Sequence, residues 1–192
     1  MKKLTMLAAA SALLAGSAVA QVSGSLGTDS TADVTINATV DPMVRISGLD
    51  GVMDFTLDAA TLNSNFGNTR QTQRFCVYSN VNTTGDYNVA ITGTPSGDTA
   101  NPFRLLGSGS NVLDFTVAFT DDFASPFKFI HYGTSYPRAT TTGGLPRPTD
   151  TDCGNVTGGE NTQLAVTFRN SEVLSTVADT YTGALTITVS AP

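Results

Sequence analysis

Few side chains in this 192-residue sequence could do chemistry. There are two cysteines, Cys76 and Cys153, and one histidine, His131. In an oxidising compartment an even cysteine pair reads as one disulfide, Cys76 to Cys153. Closing a loop of that length constrains the unfolded chain by about 4 kcal/mol. Two thiols and one imidazole lack metal-ligand spacing, and His131 lies in the aromatic run Phe127–Tyr132. Asp121-Asp122 is a paired carboxylate, but at the expected end of a strand it reads as a solvated turn. Asp150 and Asp152 flank Cys153, a set too sparse for a calcium loop. One histidine leaves little for acid–base work, and no Gly-x-Ser-x-Gly elbow or phosphate loop occurs. The expectation is therefore no enzyme, no catalytic residues, no metal site and no cofactor.

The chain opens with Lys2 and Lys3, an apolar run from Leu4 to Ala15, and Ala18-Val-Ala20. That is the pattern of a secretory signal over residues 1–20, too short and too rich in Ala and Ser for a membrane span. Without it, eight basic residues face sixteen acidic ones, a formal net charge of −8. Such an acidic chain does not track a phosphate backbone, so nucleic acid is not an expected partner. The length suits one domain. Abundant Thr, Ser, Gly and Asn around short apolar alternations point to an all-β extracellular fold.

Strand candidates are separated by turn residues. They cover residues 43–47, 52–57, 74–78, 87–92, 103–106, 112–119, 127–132, 163–168 and 181–190. Asn82–Gly85 reads as a hairpin connection between the third and fourth. Residues 171–177 could form one turn of helix. This pattern predicts an antiparallel β-sandwich.

The two most regular alternations lie near the two ends. Val34, Ile36, Ala38 and Val40 alternate with Thr35, Asn37 and Thr39, behind a small, polar lead-in from Gln21 to Thr31. Tyr181, Gly183, Leu185, Ile187 and Val189 alternate with polar or small residues up to Ser190. Each is the period-two signature of a half-buried strand.

The stretch Val34-Thr-Ile-Asn-Ala-Thr-Val-Asp-Pro42 resembles the start of chaperone–usher pilins, especially of the colonization-factor type. Thr180-Tyr-Thr-Gly-Ala-Leu-Thr-Ile-Thr-Val189 resembles the terminal strand shared by several pilin groups. The resemblance implies an incomplete immunoglobulin-like sandwich completed by donor-strand exchange. Residues 21–41 would be an N-terminal extension and 42–192 the pilin domain. Val34, Ile36, Ala38 and Val40 would be the donor residues; Leu185, Ile187 and Val189 would line the acceptor groove. Asp41-Pro42 would mark the switch from donor to body, since proline lacks a ladder N–H. A periplasmic chaperone and an outer-membrane usher would be assembly partners, followed by neighbouring copies or other fimbrial subunits. The function implied is a structural fimbrial subunit exported through the periplasm to the surface of a Gram-negative cell. A tip or minor adhesin for a host ligand and a free-standing secreted or periplasmic sandwich are the alternatives. In the latter, residues 34–40 would be an ordinary first strand.

Overall fold

The computed structural model describes residues 23–64, 67–96, 103–121, 126–138, 148–154 and 159–192. The expected signal sequence and Asp122 lie outside the described residues. The chain divides into two units between Val40 and Asp41.

In the unit after Val40, the alternating runs become ladders. The elements are β1 (Val44–Ser47), α1 (Ala59–Ser64), β2 (Asn68–Ser79), β3 (Asn88–Thr94), β4 (Phe103–Leu106) and β5 (Val112–Thr120). They continue with β6 (Lys128–Phe129), β7 (Tyr136–Pro137), β8 (Thr162–Arg169), α2 (Asn170–Ser175) and β9 (Ala184–Ser190). One sheet runs β1-β2-β8-β5-β4, with β6 on β5; the other runs β7-β3-β9. Every pairing is antiparallel. The fold is an all-β sandwich.

Alternate residues of both sheets meet in one core. Phe75 and Val77 of β2 and Leu164, Val166 and Phe168 of β8 face Val89 and Ile91 of β3. Phe168 packs edge-on against Phe55, with ring centroids 4.8 Å apart, and lies 5.5 Å from Phe115. Beyond the paired end of β8, Asn161 extends the contact with β2 by side chain. Its Oδ1 accepts from the Val77 N–H and its Nδ2 donates to the Val77 carbonyl, both at 2.8 Å. A buried backbone pair is thereby satisfied without a strand.

Four sequence expectations change. Asn82–Gly85 is not a hairpin: β2 and β3 belong to different sheets, and the turn carries the chain across the sandwich. Residues 52–57 alternate in burial but form no ladder. Met53, Phe55 and Leu57 dock on the core, while the Asp54 carbonyl accepts from Gln71 Nε2 at 2.6 Å. The alternation there records one face on the core, a condition that does not require a neighbouring strand. The run 127–132 keeps only two residues of strand. Asp121 is buried, its carboxylate 3.5 Å from the Arg138 guanidinium, which also donates to the Thr84 and Gly85 carbonyls. The solvated turn expected there is instead a sheltered ion pair. Burial, reinforced by the Asp121 charge, pushes the neighbouring Tyr87 phenol up.

Candidate strand-acceptor groove

The site begins with β9. Its residues alternate between exposed and half-buried, and the half-buried set is Leu185, Ile187 and Val189. Register with β3 places Leu185 opposite Gly93, Ile187 opposite Ile91 and Val189 opposite Val89. All three pack against the common core. Among the described residues β9 pairs with β3 alone, so its other edge is unpaired. β1 is likewise an edge, paired with β2 alone and ending where Ser47 faces Cys76.

Between these edges the sandwich is open. Val44, Arg45 and Ile46 face Ile187, Thr188 and Val189 across one end of the gap. Further along, an apolar cavity of about 230 Å³ opens between the sheets. Its floor includes Phe115, Leu164, Val166 and Phe168, and Leu185 and Ile187 form one wall. Residues 49–53 and Phe55 form the opposite wall, and Gln73 projects from β2. Met53, Phe55, Leu105 and Phe168 also line a second hollow, of about 630 Å³, that reaches α2 and Tyr181.

The far end of the groove is closed by main chain. The N–H and C=O of Leu106 and Thr182 bond reciprocally, both at 2.9 Å. Gly183 permits this crossing, because a Cβ there would lie 2.8 Å from Leu105 Cδ2 and 3.2 Å from the Arg104 carbonyl. Asp179 fixes the β4–β5 turn beside it. Its carboxylate accepts from the Ser108 hydroxyl and N–H, which hold it down to about 2.

The near end is braced by the disulfide. Cys76 and Cys153 are joined, with Cα atoms 5.8 Å apart. Strand alternation turns Cys76 away from the core that takes Phe75 and Val77, and the pair is buried as a separate cluster. The adjoining loop reaches β1: Arg45 meets Asp152 at 3.0 Å and donates to Thr151 Oγ1 at 3.1 Å. The Asp150 carboxylate accepts from the Asp152 N–H at 3.1 Å, which shapes this turn.

The expected acceptor residues thus come together on one groove wall. In the unit before Asp41, the described residues form no strand. Val34, Ile36 and Val40 are 79%, 87% and 75% exposed, and Ala38 is exposed as well. His131 and Lys128 lie on the surface, His131 stacked near Tyr136. Among the described residues, no three His, Cys, Asp or Glu side chains gather as a metal set. Gln73 was not anticipated. Extending the β2 alternation by two residues from Phe75 would have turned it inward, but the polar run Asn68–Arg74 concealed the strand.

No protein family model and no curated protein sequence matches the chain. Of the solved structures, a chain described as "Chaperone-tip adhesin complex is vital for synergistic activation of CFA/I fimbriae biogenesis" is among those that align, with a TM-score of 0.43 at 15% identity. The match covers 65% of this chain and 35% of that one, about a third of its length.

Proposed function

We propose that this protein is a structural subunit of a bacterial surface fimbria, polymerised by donor-strand exchange. The carrying observation is a pair of complementary lacks. The body has an apolar groove between two unpaired strand edges, and the same chain carries an exposed, alternating apolar segment. An open edge beside exposed core is an aggregation hazard unless a strand covers it. Strand addition answers both lacks: ladder bonds hold the new strand, and alternate side chains enter the groove. Val34, Ile36, Ala38 and Val40 of one copy would lie against Leu185, Ile187 and Val189 of the next.

On this reading a chaperone covers the groove in the periplasm and an usher exchanges it for the incoming segment. The disulfide suits an oxidising export route. A donor segment also favours a position within the fibre over a tip adhesin, which has no subunit beyond it.

The test is deletion of residues 21–40. Produced with a periplasmic chaperone, the shortened chain should fold, be captured without polymerising and exchange the chaperone for a peptide of residues 31–42, while the full chain forms polymers. A deletion variant that does not fold would make residues 34–40 an ordinary first strand and overturn the proposal.

A further inference from the structure

We infer that Gln73 sets the register of the strand entering the groove, by requiring a small inward residue opposite it, which in a second copy of this chain is Ala38. The inference rests on the strand-acceptor reading above and adds a specificity residue to it.

Gln73 is 9% exposed, and its Nε2 has no hydrogen-bond partner among the described residues. It lines the cavity beside Phe115, Leu164, Val166, Leu185 and Ile187, whose side chains offer no acceptor, and Asp50 on the opposite wall makes no hydrogen bond to it. Buried amide donors are nearly always satisfied, so this one points to an acceptor brought by the occupant. Its position permits that. β1 stops opposite Cys76, three residues further along β2, so among the described residues no strand covers β2 at Gln73 on that side. A strand added along β9 would pass there with its main-chain carbonyls within reach of the carboxamide.

Hydrophobic alternation alone cannot fix the register. A slip of one residue turns Thr35, Asn37 and Thr39 inward and is rejected, but a slip of two restores an apolar inward face. Gln73 breaks that degeneracy. Of the four inward residues, Ala38 alone lacks atoms beyond Cβ. Opposite Ala38, the carboxamide can reach the carbonyl of the incoming main chain. Opposite Ile36 or Val40, a branched side chain fills the space and the N–H₂ group stays unpaired.

The test measures binding of labelled peptides of residues 31–42 to the full chain carrying Ile36→Asp, so that its own segment does not compete. Ala38→Val in the peptide should weaken binding about tenfold when Gln73 is present. With Gln73→Ala in the protein, the same peptide change should cost less than about twofold, because the obstructing amide is gone. Gln73→Met should weaken the unaltered peptide about fivefold without lowering the melting temperature of the free protein. Equal effects of Ala38→Val on both proteins would overturn the role of Gln73 and leave strand addition standing. No binding of any peptide would overturn strand addition itself, and this inference with it.

Discussion

Residues 34–40 and β9 carry nearly the same message and meet opposite fates. Both alternate branched apolar residues with Thr, and both are short enough for a single strand. β9 is laid against β3 over seven residue pairs, with its apolar face on the core. Val34, Ile36 and Val40 stand exposed. Alternation therefore specifies a strand with one apolar face, but says nothing about which chain supplies the sheet. What decides is the inventory of edges: the body offers unpaired β1 and β9 around an apolar gap.

A charge placed in each region should separate them most sharply. Ile187→Asp puts a carboxylate on the half-buried apolar face of β9, against the core. It should cost about 3 kcal/mol of stability or more in chemical denaturation. Under the strand-addition proposal, Ile36→Asp should leave that stability unchanged and abolish polymer, since its cost would arise only on entering the next subunit. Thr35→Asp, on the opposite face, should assemble almost normally in size-exclusion measurements. Comparable loss from Ile36→Asp and Thr35→Asp would erase the distinction.

Two further effects should fall on the body alone. Cys153→Ser opens the loop to Cys76 and should cost about 4 kcal/mol in unfolding measurements, an upper-end figure. Asn161→Ala removes both partners of the buried Val77 backbone groups and should cost about 2 kcal/mol. Both variants should still bind a donor peptide under conditions where they remain folded.

The smallest effect concerns the closed end of the groove. The Asp179 carboxyl ionises at about 2 when folded, below its ordinary 3.8, because Ser108 and the Thr180 N–H donate to it. A folded value below the unfolded one means that its contribution is present above about pH 4 and is lost as pH falls towards 2. Asp179→Asn should therefore melt slightly earlier than the parent at pH 6, with the gap narrowing between pH 4 and pH 2. A gap that widens on acidification would contradict this linkage.

The sequence revealed strands best where large apolar residues alternate with polar or small ones, as in β5, β8 and β9. It failed where polarity had another cause. The first half of β2, Asn68–Arg74, pairs along its length with β8 but exposes most of its side chains, so it shows little alternation. Residues 52–57 erred the other way, because Met53, Phe55 and Leu57 dock on the core without a ladder. α1 was hidden in a polar connection, although the Asp58 carboxylate caps it by accepting from the Thr61 N–H at 2.8 Å. On β9, the shared half-buried face of Leu185, Ile187 and Val189 was legible from parity, while a groove role for them came only from the resemblance. The cavity floor was not legible, because Phe115, Leu164 and Phe168 look like any core residues in the sequence.

Amide hydrogen exchange, compared between assembled full-length protein and the monomeric Ile36→Asp variant, tests the central claim most directly. In the assembly, Thr35–Val40 should become protected, together with those β9 amides that point away from β3. In the monomer both sets should exchange rapidly, while β9 amides bonded to β3 stay protected. Rapid exchange of Thr35–Val40 in the assembly, or protection of a different sheet edge, would contradict strand addition at β9.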